Sequence, residues 1–318
     1  MFHKIKTLIT LLQKDKSRIP YALLNNLTRL GITRFIPDKL YLKIMYKLAT
    51  GNKLDLENPK KFNEKLQWLK LNDRRDIYTT MCDKYRVRDY IKKTIGEEYL
   101  IPLLGMWETV EDIDFKSLPD QFVLKCNHDS GSILICKDKS SFDIEKAKKK
   151  LSSGLKRNGY WFGREWPYKN IKPCVIAEKY MFNKGESDLI DYKFYCFNGI
   201  PVFCQVICSR SESETIDFFD LNWVLQPFSG IHVGNIPFKS SQKILNKPIN
   251  LDKMIQFSQW LSKDKPFSRI DFYEVQEKLY FGEITLYPAA GFGRFEPDEW
   301  DYKLGNILKL PIERAKKI

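Results

Sequence analysis

The sequence predicts an α+β protein: antiparallel hairpins packed with helices, preceded by a basic helical region over residues 1–72. Three observations carry this. From about residue 73, short strand-like runs recur, among them QFVLKC, SILIC, DYKFYCFNG and PVFCQVI. Several sit close enough to be hairpins, and FNGIP at 197–201 carries the Asn-Gly pair that favours a two-residue turn. Helices fall between strands without the regular alternation that a doubly wound parallel sheet requires.

The N-terminal region reads as helices. KIKTLITLLQK, YALLNNLTRLG, DKLYLKIMYKLATG and PKKFNEKLQWLKL each space apolar residues by three and four, with lysines between. DRRDIYTTMCDKYRVRDYIKKTIG then predicts one helix ended by Gly96. Strands are expected at EEYLIP, QFVLKC, SILIC and PCVIAEKYM. FDIEKAKKKLSSGLKRNG reads as a helix stopped at Gly154 or Gly159. LDKMIQFSQWLSKD is a helix before the last hairpin, SRIDFYE and LYFGEITL.

Composition bounds the function. At 318 residues, with 43% hydrophobic and 14% aromatic content, the chain can build two cores. It has no run of about 18 apolar residues, so no membrane-spanning helix is expected. The start, MFHKIKTLITLLQKDK, has too short an apolar run for a signal peptide. Seven cysteines without a C-x-x-C spacing predict reduced core thiols and a cytoplasmic protein. The net charge of +13 is uneven: residues 1–70 hold 15 Lys+Arg against 5 Asp+Glu, and the remainder 38 against 35. That basic region is either a solvated face or a dock for an anionic membrane surface or polymer. No nucleic-acid-binding motif accompanies it, so nucleic acid is not expected as a partner.

The hairpin over 268–291 carries the sharpest chemistry. If its loop holds an odd number of residues centred on Glu277, Asp271 lies opposite Glu283 and Arg269 opposite Thr285. Like charges directly opposite are destabilising, and a cation between them would remove the penalty. A second signal is QFVLKCNHDSGSILI, where Lys125 ends a strand before a polar loop containing Gly131. Such a loop lets backbone N–H groups approach phosphate oxygens. The P-loop, G-x-G-x-x-G and G-x-S-x-G signatures are all missing, which argues against those NTPase, dinucleotide-binding and hydrolase classes.

The order of CDKYRVRDYI, FVLKCNHDSG, VIAEKYM, SRIDF and GEITLYPAAG resembles the ATP-grasp fold, two α+β lobes that clamp ATP. More narrowly, PKKFNEKLQWLKL, DKYRVRDY, DYKFYCFNG and ITLYPAAGFGRF resemble the TupA-like ATP-grasp family of bacterial surface-polysaccharide clusters, over roughly residues 55–312. The resemblance implies a 73–318 ATP-grasp domain with lobes of about 73–178 and 179–312. It implies ATP and Mg2+ as cofactors. Lys84, Lys125, Asn127, His128, Ser130, Gly131 and Lys193 are then expected around the phosphates. Glu178, Lys179, Tyr180 and Met181 would hold adenine, and Asp191, with Glu186 as competitor, the ribose. Asp271, Glu283 and Thr285 would hold metal, with Thr285 standing where many relatives have asparagine. Arg269, with Lys125, would be catalytic.

The function so implied is an ATP-dependent carboxylate–amine ligase working through an acyl phosphate. Its partners would be a carboxylate acceptor, such as a uronic-acid glycan, and an amine or amino-acid donor. ITLYPAAGFGRF would line the acceptor side. Family members are often labelled glycosyltransferases, so glycosyl transfer in capsule or O-antigen synthesis is the rival reading, and a non-catalytic nucleotide-binding protein is a third. Peripheral attachment to the inner face of the membrane is expected from the basic region.

Overall fold

The structure, a computed structural model, describes residues 19–185, 188–209, 214–232, 239–241 and 245–312. The KIKTLITLLQK segment and Glu186 lie outside them. Helices α1 (Ile19–Arg29), α2 (Asp38–Thr50) and α3 (Phe62–Asn72) come first. In α2, Tyr41, Leu42, Met45, Tyr46 and Ala49 form the buried stripe that helical spacing demands. Gly51 ends it at φ 78°, donating its N–H to the Lys47 carbonyl. Such a left-handed cap favours glycine. In α3 the Glu64 carboxylate turns back to accept from the N–H groups of Lys60 and Lys61, which would otherwise be orphaned at the helix start.

The single helix expected over 73–96 is two, α4 (Asp76–Cys82) and α5 (Val87–Thr94). Asp83 breaks it. Its carboxylate accepts from the N–H groups of Tyr85 and Arg86, so the backbone turns rather than continuing its ladder. The Lys84 N–H, freed by the turn, donates to the Asn127 carbonyl. Segment EEYLIP is not a strand: Glu97–Tyr99 is a 3-10 turn, closed by the Leu100 N–H on Glu97.

Two antiparallel sheets carry the rest. The smaller has the order β1 (Leu103–Trp107), β4 (Val175–Lys179), β2 (Phe122–Cys126), β3 (Ile133–Cys136). Phe122, Leu124, Cys126, Val175 and Ala177 share one core with Leu151 of α6 (Ile144–Leu155). Gly154 does not end α6 but lies inside it. A Cβ there would fall 2.3 Å from Ser132 Oγ and 2.7 Å from Cys126 Sγ, so glycine allows the close approach of helix and sheet. The register places Lys125 and Glu178 on the other face, among Met106, Val123, Ile133, Ile135 and Ile176.

The larger sheet has the order β10 (Lys278–Thr285), β9 (Phe267–Val275), β5 (Asp191–Phe197), β6 (Ile200–Cys208), β7 (Thr215–Asp220). Phe197 pairs with Ile200 across the Asn198-Gly199 turn, as the sequence predicts. After the single-turn α7 (Tyr160–Gly163), helix α8 (Leu251–Ser262) packs against β5, β6 and β9. One face divides its strands in two. Phe197 and Phe267 stack around Phe62 of α3, at ring separations of 5.7 and 4.9 Å. Further along the same strands come Arg269 and Asp271, with Lys193 and Asp191 beside them. A short pair, β8 (Ser229–His232) with β11 (Arg294–Glu296), and helix α9 (Glu299–Ile307) complete the fold. No helix among the described residues is long and apolar enough to cross a membrane.

Candidate active site

The last hairpin sets one wall of the site. Asp271 pairs with Glu283 and Arg269 with Thr285, the expected register. The route differs. Val275 pairs with Lys278, so the turn holds two residues, Gln276 and Glu277, both at positive φ. The odd residue is a bulge at Gly282, between the Phe281–Phe272 and Glu283–Asp271 pairs. A Cβ on Gly282 would lie 3.0 Å from the Tyr273 ring and 3.1 Å from the Asp271 carbonyl, so the neighbours of the bulge would have to give by a few tenths of an ångström to admit one.

The cation between the two carboxylates is the protein's own. The Arg269 guanidinium donates twice to Asp271, at 2.7 Å each, and also to Glu283 at 3.1 Å and Thr285 Oγ1 at 3.0 Å. Lys193, one strand over, donates to Asp271 and stands 3.1 Å from Asp191. Asp271 is 1% exposed and saturated by these partners, whereas the Glu283 side chain is 39% exposed. Burial opposes ionisation of Glu283. Lys84, Arg269, Lys193 and Lys125 outweigh it and hold the carboxyl at about 2. Burial likewise opposes charge on Arg269, but Asp271 overrides it and raises the guanidinium pKa.

The turn at Asp83 delivers Lys84 to this wall. Its ammonium lies 3.9 Å from Glu283 and donates to the Asp129 carbonyl at 2.9 Å. Lys84, Ser130, Gly131, His128, Arg269, Glu283 and Thr285 all line one cavity of about 480 Å³. The loop before β3 is less open than its sequence suggests. The Asn127 side chain donates to the Lys172 carbonyl and accepts from the Cys174 N–H, splinting β4. His128 bridges Asn127 Oδ1 and the Arg157 carbonyl, and burial lowers its pKa. Ser130 and Gly131 stay exposed at the rim.

On the small sheet, Lys125 forms a 2.7 Å ion pair with Glu178, which Arg88 also approaches at 3.4 Å. Lys125 is not part of the cavity wall but is near enough to Glu283 to bias its carboxyl. Lys179 and Tyr180 border a different groove beside Gln121 and Lys137, and the Tyr180 ring stacks on Phe182 at 5.8 Å. The Lys179 N–H is taken by the Pro102 carbonyl. Met181 follows, half-buried. Asp191 is buried in the large sheet beside Lys193.

The structure adds residues that the sequence reading missed. These are Arg29 from α1, Arg157, Glu165 and Tyr168; Tyr287, Ala289 and Ala290, which line the same cavity, belong to the ITLYPAAGFGRF segment expected on the acceptor side. Ala289 and Ala290 sit at φ 46° and 53°, a left-handed conformation that non-glycine residues rarely adopt. Lys70 of α3 fixes that loop. It is fully buried and donates to Gln67 Oε1, the Gly163 carbonyl and the Ala290 carbonyl at 2.6–2.9 Å. The one available signal was an Arg-Glu pair in the aromatic stretch YWFGREWPY, which no periodicity placed.

Two antiparallel sheets, with a charged cluster on one and a lysine–glutamate pair on the other, define an ATP-grasp protein. The chain belongs to the TupA-like ATP-grasp family, whose model matches residues 64–309. No curated protein matches it. Among solved structures it is similar to a D-alanine–D-alanine ligase from Bacillus anthracis complexed with ATP, at 16% identity and a TM-score of 0.41, over 75% of this chain and 66% of that one. It is also similar to the Helicobacter pylori D-alanine–D-alanine ligase, at 14% identity and a TM-score of 0.36, over 75% and 61%. A third is D-cycloserine synthetase DcsG, at 12% and 0.38, over 76% and 71%. The chain spans less than two thirds of the length of the first and second of these.

Proposed function

We propose that the protein is an ATP-dependent carboxylate–amine ligase, with residues 73–178 and 179–312 as its two ATP-clamping lobes behind the 1–72 helical region. The observation that carries this reading is the wall of Lys84, Arg269, Glu283 and Thr285, backed by Asp271 and Lys193. It concentrates cations where a polyphosphate would lie and keeps one carboxylate ionised for a metal.

The donor set fits Mg2+. Glu283, Thr285 and Asp271 offer hard oxygens, and magnesium takes one or two carboxylates with phosphate oxygens and water. Bound there, Mg2+ would neutralise charge on the phosphates. Asp271 would become a ligand as Arg269 transfers its donors to the nucleotide. In the proposed reaction a substrate carboxylate attacks the γ-phosphate and ADP leaves. An amine then displaces phosphate from the acyl phosphate to form an amide. Arg269 and Lys84 stabilise the charge that develops. Lys125 would exchange its partner Glu178 for phosphate, with Ser130 and Gly131 covering the phosphates from the rim. The apolar face around Lys125 would take adenine, near Glu178 to Met181, and Asp191 remains the proposed ribose carboxylate.

The acceptor we propose is a uronic acid of a bacterial surface polysaccharide. Peripheral docking on the inner face of the membrane belongs to the same reading. Leu23, Leu30, Ile32, Leu40 and Phe35, the last 93% exposed, lie among Arg29, Arg34, Lys39 and Lys43. Such segments gain about 1 kcal/mol per basic residue close to an anionic surface. The rival glycosyl transfer rests only on the label that family members often carry. The test is nucleotide use: ADP and phosphate released from ATP with Mg2+, glucuronate and a mixture of amino acids. Consumption of a nucleotide sugar without ATP would replace this reading. Flotation with phosphatidylglycerol vesicles at low salt, lost on Phe35→Glu, tests the membrane part. No flotation removes it.

A further inference from the structure

The cavity contains two carboxylates in opposite situations. Glu283 is compensated by Arg269 and Lys84. The Glu165 carbonyl accepts from the Tyr168 N–H, but its carboxylate has no hydrogen bond or ion pair among the described residues, and the residue lines the same cavity. It follows Gly163 and Arg164 into a turn, and a Cβ on Gly163 would meet its Oε1 at 2.7 Å, which fixes how closely the side chain folds over that turn. The cation nearest to it in effect is Lys70, but all three Lys70 N–H groups are committed to other oxygens. Leaving a partly buried carboxylate without a partner is costly. A native structure that does so next to an open cavity has room for a cation from outside.

Resting on the ligase reading, we infer that Glu165 anchors the ammonium group of the amine substrate, so that the far wall of the cavity is the amine subsite. Tyr168 and Tyr287 flank the carboxylate, and aromatic faces favour a desolvated ammonium. Lys84 and Arg269 supply cations toward the phosphates, whereas the Glu165 carboxylate is paired with neither of the arginines that line the same cavity, Arg29 and Arg157, the latter being taken by Asp129. A metal would find a single carboxylate there. Burial pushes the Glu165 carboxyl above its usual range, which fits a group that lacks a resident partner.

The experiment is calorimetric titration of the full chain with a panel of amino-acid amides, which carry an ammonium and no carboxylate. It is run with and without Mg2+ and a non-hydrolysable ATP analogue. At least one amide should bind saturably. Its N-acetylated counterpart, lacking the ammonium, should not bind. Glu165→Gln should weaken the amide at least tenfold and leave the affinity for the analogue within twofold. The inference is overturned if no amide binds, if the acetylated form binds equally, or if Glu165→Gln binds as wild type. The acetylated control needs no variant, so it decides even if Glu165→Gln does not fold. Failure of the ATP analogue to bind would instead strike the ligase reading, and the amide titration without nucleotide would still judge Glu165.

Discussion

Glu283 and Glu165 line a single cavity, yet the protein treats them as different chemical groups. Four cations converge on Glu283 and hold it ionised at about 2 against its burial. At Glu165 burial dominates and raises the carboxyl, with the Lys70 charge opposing it. The difference comes from strand geometry. On the Glu283 wall, three adjacent strands point Lys193, Arg269, Asp271 and Glu283 to one face at matched register, so charges compensate laterally. Glu165 sits instead where the chain enters the 3-10 helix Trp166–Asn170, with no strand register to bring a partner opposite it. One wall is thereby preset for a polyanion, and beside it one carboxylate is left unpaired.

The largest expected effects come from breaking the compensated wall. Glu283→Gln should reduce ATP turnover by about 10²–10³-fold, in the range seen when a preorganised electrostatic group is lost. Because Glu283 is half-exposed and shares Arg269 with Asp271, its loss should leave stability nearly unchanged. Asp271→Asn should remove turnover too, but it also strands buried Arg269 and Lys193. Breaking a buried ion pair from one side costs about 3–5 kcal/mol, so its urea midpoint should drop sharply. Equal midpoints for the two variants would show that Asp271 is not the structural partner that its hydrogen bonds describe. Equal turnover to wild type in either would remove it from the metal set.

The lysines give a smaller contrast of the same kind. Lys125→Ala should weaken an ATP analogue about tenfold, the loss of one charge-assisted hydrogen bond, with a smaller loss in unfolding because Arg88 still faces Glu178. Lys193→Ala should do the reverse, because Lys193 is buried between Asp191 and Asp271. Calorimetry and urea unfolding separate the two. If Lys125→Ala binds the analogue as tightly as wild type, the small-sheet lysine is a partner of Glu178 and nothing more.

How much of this was legible follows from what sequence periodicity can see. Alternation put Arg269 and Asp271 on one face, and centring on Glu277 gave their partners. It could not see that the extra residue sits at Gly282 rather than in the turn, since parity alone does not locate a bulge. Nor did it anticipate that Arg269 would bind its own i+2 neighbour and so answer the repulsion without a metal. The helix over 73–96 was readable as apolar spacing, but the Asp83 side chain competes locally for N–H groups, and that break is what aims Lys84. Asn127 and His128 read as phosphate-loop residues by type, while their hydrogen bonds go inward to β4 and to Arg157. Glu165, Arg29 and Lys70 reach the site through tertiary packing of turns and the N-terminal helices, where no local period exists to follow.

A third buried carboxylate sharpens the comparison at the smallest scale. Asp301 is 5% exposed and lies between the two extremes: it accepts from the Asn63 N–H at 2.9 Å and from Asn63 Nδ2 at 3.1 Å, yet burial still raises its pKa to about 6. A carboxyl raised from about 4 in the unfolded chain favours folding in its protonated form. Its stabilising contribution is therefore full below pH 4 and lost as pH rises through 6. Asp301→Asn keeps an oxygen for both Asn63 donors and carries no charge to desolvate. It should be close to wild type in stability at pH 4 and more stable by about 1–2 kcal/mol at pH 7.5, within the roughly 1.4 kcal/mol that each unit of pKa shift represents. Chemical unfolding at the two pH values measures the difference directly. A gap that does not widen with pH would mean that the two Asn63 hydrogen bonds and the charge on Lys61 compensate Asp301 fully, placing it with Glu283 rather than with Glu165.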